Sequence, residues 1–193
     1  MKKYIFALPS EKIEKCRYIS GETELETRFP ILLSLKETAE QGELVNITPI
    51  ISENSSGTSA NFLNLMMELK ALADEGGFKF DLAEIRIAGE ETSDKQKRVF
   101  EALIETLGDD ESIYADITFG HKAIPLIIFT AMSFCYKLRS NTEIGSVIYA
   151  DQASGVPTIH DVSTLFYMES VIHSVSQSVP DDPLSIIKRI LNM

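Results

Sequence analysis

The residues best placed to do chemistry lie between positions 113 and 125, where the sequence reads Ile-Tyr-Ala-Asp-Ile-Thr-Phe-Gly-His-Lys-Ala-Ile-Pro. A hydrophobic strand is followed there by one glycine and then by the start of an apolar helix. Gly120 lets the backbone approach a ligand closely, and the first turn of a helix offers N–H groups without partners inside the helix. Thr118 and Lys122 add a hydroxyl and a cation. The combination predicts a phosphate-binding turn between a strand and a helix.

The sequence around this turn alternates between segments typical of strands and of helices. Strands are predicted at residues 3–8, 44–51, 78–88, 112–117 and 145–150, and helices at 29–40, 62–74, 93–107 and 122–138. Since parallel strands need crossover connections, this order predicts an α/β fold with a Rossmann-like, mostly parallel sheet and helices on both faces. An exposed hairpin at about 15–27 is predicted before the first helix. After the fifth strand we expect a further strand at 158–165 and helices at 166–177 and within 178–193.

In sheets of this kind, ligands bind beyond the carboxyl ends of the strands, near the point where the strand order reverses. Three of the loops predicted at that edge carry residues suited to a ligand. We expect the contacts to come from Pro9, Ser10, Asn54, Ser55, Ser56, Thr118, Phe119, Gly120, His121 and Lys122. The Ser- and Asn-rich loop at 52–58 is either a flexible connection or a lid over the site.

Composition excludes several classes of function. The 193 residues carry a formal net charge of −11, which argues against duplex nucleic acid as a partner, because such binding needs many Lys and Arg contacts with phosphates. No apolar stretch reaches the roughly 18 residues of a membrane-spanning helix, so we expect a cytoplasmic protein without a membrane partner. Cys16 and Cys135 have no partners at metal-ligand spacing. The sequence therefore predicts no metal site, and we expect no cofactor.

The motif Asp-Ile-Thr-Phe-Gly-His-Lys-Ala-Ile-Pro at 116–125 resembles the Asp-Ile-Thr-x-Gly-x-Arg/Lys-x-x-Pro motif of CRISPR-associated Rossmann-fold (CARF) domains, the sensor halves of type III CRISPR ancillary proteins. The predicted hairpin leading into Phe29-Pro30 and the segment at 158–165 also resemble that family. The resemblance extends from residue 2 to about 177. Phe119 and His121 depart from the residues common in the family, so ring size is not carried over.

This resemblance implies that residues 1–177 form a CARF ligand-binding domain and that 178–193 add a short C-terminal helix. It implies a homodimer whose two motif loops meet across a two-fold axis and bind a cyclic oligoadenylate of four or six nucleotides as a sensor in antiviral defence. Relatives usually continue into an effector such as an RNA-cleaving HEPN module, whose Arg-x-x-x-x-His motif is absent from this sequence. A separate or truncated effector is therefore an expected partner.

Some members of the family are ring nucleases, in which a ribose 2′-OH attacks the neighbouring phosphodiester without metal. In that alternative Lys122 would stabilise charge on phosphorus, Ser10 would orient the 2′-OH or the phosphate, and His121 would act as acid or base. Binding without cleavage needs the same residues, so the sequence does not decide whether the protein is a sensor or a ring nuclease.

Two plainer interpretations stand beside these. Thr118 and Gly120 would serve only to end a strand and begin a helix in any Rossmann-like protein. A cluster on the third helix, consisting of Lys95, Lys97 and Arg98, is expected to be a solvated face.

Overall fold

The computed structural model describes residues 1–53, 57–88, 92–151, 157–177 and 182–191. Its strands are β1 (Lys2–Ala7), β2 (Cys16–Ser20), β3 (Thr23–Thr27), β4 (Leu44–Ser52), β5 (Lys79–Leu82), β6 (Ile85–Ile87), β7 (Ser112–Asp116), β8 (Glu143–Asp151) and β9 (Thr158–Asp161). Its helices are α1 (Ile31–Thr38), α2 (Thr58–Gly76), α3 (Ser93–Thr106), α4 (Ala123–Leu138), α5 (Ser163–Gln177) and α6 (Pro183–Leu191). The α/β alternation predicted from the sequence is confirmed.

Seven strands form one sheet in the order β5–β4–β1–β7–β8–β9, with β6 also paired to β4. All neighbours are parallel except β9, which runs antiparallel to β8. The chain adds strands outward from β1 on one side as far as β6, then returns to the other side of β1 with β7. The strand order therefore reverses between β1 and β7, which is where Rossmann-like sheets open a crevice for ligands.

Helices cover both faces of this sheet, as predicted. Tyr4 and Phe6 of β1 pack with α1 and α2 on one face, whereas Ile5 and Ala7 pack with α3, α4 and Phe166 of α5 on the other. Alternate residues of β1 are thus buried on opposite sides, which explains the nearly continuous apolar run in this central strand. No helix within the described residues is long and apolar enough to cross a membrane.

The predicted hairpin is confirmed as the antiparallel pair β2 and β3, whose turn contains Gly21 at φ +54°. Its placement differs from the expectation of an exposed insertion in one respect. Tyr18 is fully buried and packs with Leu33 of α1 and Ala150 of β8. The hairpin is therefore anchored to the sheet and to the first helix by one aromatic side chain.

Two of the predicted strands differ from the observed ones. The segment predicted as one strand at 78–88 forms two strands, β5 and β6, which both pair with β4. Ala83 and Glu84 lie between the two strands and belong to neither pairing. The strand predicted at 158–165 ends at Asp161, whose carboxylate accepts the backbone N–H of Ser163 at 2.8 Å. The hydroxyl of Ser163 in turn accepts the N–H of Val147 at 2.8 Å. These side-chain contacts start α5 within the segment that sequence reasoning assigned to a strand.

Candidate functional site

Two loops meet the carboxyl edge of the sheet at the point where the strand order reverses. One follows β1 and contains Pro9 and Ser10, and the other follows β7 and contains residues 117–122. Each is tied to a neighbouring strand at its start: the N–H of Leu8 donates to the carbonyl of Ile50 at 2.8 Å, and the N–H of Ile117 donates to that of Ile148 at 2.9 Å. The loops predicted to hold a ligand therefore flank the crevice between β1 and β7.

Asp116 ends β7 and is 2% exposed. Its carboxylate accepts the backbone N–H of Thr118 at 2.8 Å and the Thr118 hydroxyl, and it also accepts the N–H of Ile31 at the start of α1 at 3.1 Å. Burial raises the pKa of Asp116 to about 6, and these hydrogen bonds oppose the rise. The carboxylate thus connects the end of β7 to the first turn of α1.

The hydroxyl of Thr118, which the sequence suggested as a ligand contact, is used inside the protein. It donates to Asp116 and accepts the backbone N–H of Ala150 in β8 at 2.8 Å. A hydroxyl has one proton, so none is left to donate to a phosphate oxygen. Thr118 therefore shapes the loop and links it to the neighbouring strand.

Gly120 has a φ of +103°, and a Cβ built on it would lie 2.8 Å from the Cβ of Ala7 and 3.2 Å from that of Ile124. The sequence predicted a close backbone approach at this glycine, and the structure places that approach against the protein's own first strand. Phe119 beside it is half-buried and packs against the core between the sheet and α4. The loop is thus pressed onto the end of β1.

The residues after Gly120 are exposed and present polar groups at the start of α4. Within the described residues, the backbone N–H groups of Gly120, His121 and Lys122 make no hydrogen bond, and the Lys122 ammonium makes no ion pair. The first intrahelical contact joins the N–H of Ile124 to the carbonyl of His121 at 2.8 Å. Free N–H groups, the positive end of a 16-residue helix and a lysine together form an arrangement that can bind an anion.

The loop after β1 is held by Asn61, a fully buried residue of α2 that sequence reasoning did not identify. Its side-chain amide donates to the carbonyls of Pro9 at 2.8 Å and Glu11 at 2.7 Å. Gly57, just before the helix, allows the same loop to approach, since a Cβ there would lie 2.5 Å from the carbonyl oxygen of Ser10. The backbone at Ser10 is therefore fixed by α2 rather than left as a free turn.

A narrow pocket of about 20 Å³ opens between this edge and α3, and Ser52, Ile87, Lys95, Gly120 and His121 are among its lining residues. The expectation of a solvated face on α3 is wrong for Lys95, which is only 4% exposed. The same expectation is confirmed for Lys97 and Arg98, which are exposed. The structure thus brings a second lysine to the edge that carries the motif.

Three of the predicted ligand contacts, Asn54, Ser55 and Ser56, lie outside the residues that the structure describes. Their part of the site, including the proposal of a lid, stays a prediction. The start of the segment is described as far as Glu53, whose N–H donates to the carbonyl of Ile87 at 2.9 Å.

A cavity of about 310 Å³ lies elsewhere, between the hairpin and α2. Two of its charged groups are paired with each other: the Arg28 guanidinium donates to Glu68 at 2.6 Å, and Glu68 also accepts the Thr27 hydroxyl at 2.6 Å. None of its lining residues belongs to the loops at the carboxyl edge. The cavity is therefore separate from the candidate site.

No protein-family model matches this chain, and none of the curated proteins matches it significantly. The fold defines the class: an α/β protein with a Rossmann-like, mostly parallel sheet, in which Lys122 and the start of α4 follow the strand at the reversal of strand order. The resemblance to CARF domains stays a prediction that rests on the motif residues.

Proposed function

We propose that this protein is a sensor that binds a cyclic oligoadenylate as a homodimer in type III CRISPR antiviral defence. The observation that carries the proposal is the group of free donors at 120–122. It lies where the strand order reverses, next to the loop of Pro9 and Ser10. These are the residues that the resemblance to CARF domains assigns to the ligand.

Charge and size support a polyanionic ligand shared between two chains. With a net charge of −11, the protein must bind phosphates through a few local donors, and Lys122 with the start of α4 supplies them. The pocket of about 20 Å³ holds little more than one water molecule. A nucleotide ring would therefore lie over the loops rather than inside one chain, and a second copy related by a two-fold axis would cover it.

A second candidate function, ring cleavage, is favoured by the exposed His121 and Lys122 side by side at the start of α4. The ribose 2′-oxygen would attack phosphorus and lose its proton to a base, while the bond from phosphorus to the 5′-oxygen breaks and that oxygen takes up a proton. The products are a 2′,3′-cyclic phosphate and a free 5′-OH. His121 would move a proton, Ser10 would orient the attacking group, and Lys122 would stabilise the charge on phosphorus.

The experiment is incubation of the purified protein with cyclic tetra- and hexa-adenylate in EDTA, followed by measurement of retained ring and of chain length. A sensor retains the intact ring, and the Lys122→Ala variant loses it. A ring nuclease yields linear products at a rate that Lys122→Ala lowers. Lys97→Ala is the matched control, since this exposed lysine lies on α3 and pairs with Asp94 at 3.5 Å. If the wild-type protein neither binds nor cleaves either ring, the proposal fails.

We also propose that the protein is located in the cytoplasm and that its partner is an effector, either separate or truncated. Sedimentation of the protein with and without ligand tests the homodimer, and co-purification from a host that carries a type III system tests the effector. A ligand-dependent partner supports the sensor.

A further inference from the structure

The cavity of about 310 Å³ between the hairpin and α2 has a strand for one wall and a helix for the other. The strand wall consists of Leu25, Glu26 and Thr27 of β3, with Arg28 directly after them. Successive side chains of a strand point to opposite faces, so a cavity lined by consecutive residues lies along the edge of the strand. The helix wall, which extends over roughly 16 Å of α2, consists of Asn64, Met67, Glu68, Ala71, Leu72 and Glu75. The cavity is therefore a groove between the outer edge of β3 and one face of α2.

The edge of β3 that faces this groove carries unpaired backbone groups. Among the described strands, β3 pairs with β2 alone. The N–H of Arg28 donates across the groove to Glu68 at 3.0 Å. In an extended strand the backbone groups of every second residue point the same way, so those of Glu26 and Glu24 also point toward α2. Within the part of the chain that the structure describes, these groups make no backbone hydrogen bond outside the hairpin.

The turn of the hairpin leads to the same assignment. Gly21 has a φ of +54° at the first position of a two-residue turn, and Ser20 and Thr23 face each other across it. In such hairpins the two residues that flank the turn exchange both of their hydrogen bonds, and every second pair along the ladder does the same. Bonding to β2 therefore falls to Thr23 and every second residue after it. The backbone groups of Glu24 and Glu26 point outward and are open to a further strand.

The charges along this edge disfavour a second copy of the chain and favour a basic segment. Glu22, Glu24 and Glu26 are all exposed. Pairing between the β3 edges of two copies would place these carboxylates against one another, which is destabilising. The groove itself is lined by three glutamates and two basic residues, of which Arg28 and Glu68 pair with each other. With a net charge of −11 on the whole chain, a partner that carries Lys or Arg is the complementary one.

Apolar surface of α2 lies open beside the edge. Met67 is 71% exposed although it lines the groove. The hydroxyl of Thr27, on the buried face of β3, donates to Glu68 at 2.6 Å, so α2 lies on the side of that face. A strand added to β3 would therefore point alternate side chains toward Met67 and the others toward Glu24 and Glu26.

We infer that the groove between β3 and α2 is a docking site for an extended segment of another protein, which adds as a third strand to the hairpin and alternates apolar residues with Lys or Arg. Backbone hydrogen bonds to Glu24 and Glu26 supply affinity, whereas the side chains on the two faces supply specificity. The inference is independent of the ligand proposed above, because the groove shares no lining residue with the loops at the carboxyl edge.

The probe is a fluorescently labelled hexapeptide with blocked ends that alternates Val and Lys, and its binding is measured by fluorescence anisotropy. Two further forms of the peptide are N-methylated, one at its Val amides and the other at its Lys amides. Only one set of alternate amides faces the neighbour in an added strand. One methylated form should therefore lose binding while the other keeps it. Binding of the unmodified peptide should slow hydrogen exchange at Glu24 and Glu26.

Variants of the protein test the two faces of the added strand. Met67→Ala is expected to weaken binding about tenfold through lost apolar contact. Leu63→Ala is its matched control, since Leu63 is 65% exposed on the same helix and does not line the groove. Glu26→Lys should also weaken binding, whereas Glu101→Lys, at an exposed position of α3, should not. All four positions are exposed, so the variants should keep the wild-type melting temperature.

Absence of hexapeptide binding by the wild-type protein overturns the inference. Binding that both methylated forms lose, or that both keep, also overturns it, because the peptide would then not be held as a strand. Self-association that protects Glu24 and Glu26 without any peptide overturns it in favour of a second copy. None of these outcomes affects the proposal of cyclic oligoadenylate binding, which the Lys122→Ala variant tests separately.

Discussion

The carboxylate of Asp116 accepts both the backbone N–H of Thr118, at 2.8 Å, and the Thr118 hydroxyl. The same carboxylate accepts the N–H of Ile31, and the same hydroxyl accepts the N–H of Ala150. The end of β7 is thereby fixed to α1 and to β8. This arrangement sets the path of the loop that follows, so the donors at 120–122 are presented by a rigid support.

The buried Asp116 predicts a pH dependence of stability. Its pKa in the folded protein is about 6, above the ordinary value of 3.8. Between these values the folded state binds more protons than the unfolded state, so the free energy of unfolding falls as pH rises from about 4 to about 6. A rise of about two units corresponds to a decrease on the order of 3 kcal/mol.

The Asp116→Asn variant should lack this decrease, because an amide does not titrate. Urea unfolding at a series of pH values measures it as the difference between variant and wild type. Asp94→Asn is the control, since that carboxylate is exposed. A difference between Asp116→Asn and wild type that stays constant from pH 4 to pH 7 would contradict the prediction.

Substitution of Gly120 should cost more stability than substitution of another glycine with positive φ. Gly120→Ala places a Cβ 2.8 Å from Ala7, in addition to the backbone strain at φ +103°. Gly42→Ala has φ +82° with nothing within 4 Å, so it reports the strain alone. We expect about 1 kcal/mol for Gly42→Ala and at least 1 kcal/mol more for Gly120→Ala. Equal losses in urea unfolding would show that the loop does not press on β1.

Removal of the Asn61 amide should release the loop that carries Ser10. Asn61→Ala leaves the carbonyls of Pro9 and Glu11 without their donor, at a cost of about 1–3 kcal/mol for each carbonyl that stays buried and unpaired. Asn64→Ala, one turn along the same helix, is the control. Hydrogen exchange near residues 9–12 should speed up in the first variant only. Unchanged exchange there would mean that another contact holds the loop.

The sequence was sufficient for the alternation of strands and helices, the hairpin and the edge at which the motif lies. The spacing of hydrophobic residues and the residues typical of turns determine those features locally. It was not sufficient for Asn61 and Lys95, because a polar residue in a helical pattern is usually solvated. Their spacing carried a usable signal: Asn61 precedes Leu65 and Leu69 by four and eight residues, and Lys95 precedes Val99 and Leu103 in the same way. Each therefore continues an apolar stripe.

The role of Thr118 could not be predicted for a different reason. The motif indicated a hydroxyl at the right place. One of its partners, Asp116, is two residues away, but the other, the N–H of Ala150 in β8, is 32 residues away along the chain. A hydroxyl serves a ligand or the protein equally well, and only the tertiary pairing of these strands decides between them. The division of residues 78–88 into two strands depends on pairing in the same way.

We propose that the donors at 120–122 bind one cyclic oligoadenylate between two chains. Calorimetric titration of the protein with cyclic tetra-adenylate and with cyclic hexa-adenylate tests it most directly, with Lys122→Ala and Lys97→Ala measured alongside. We predict that one of the two rings binds at one ring per two chains, that Lys122→Ala abolishes or severely weakens this binding, and that Lys97→Ala leaves it unchanged. Binding of neither ring, or binding that Lys122→Ala does not affect, would contradict the claim.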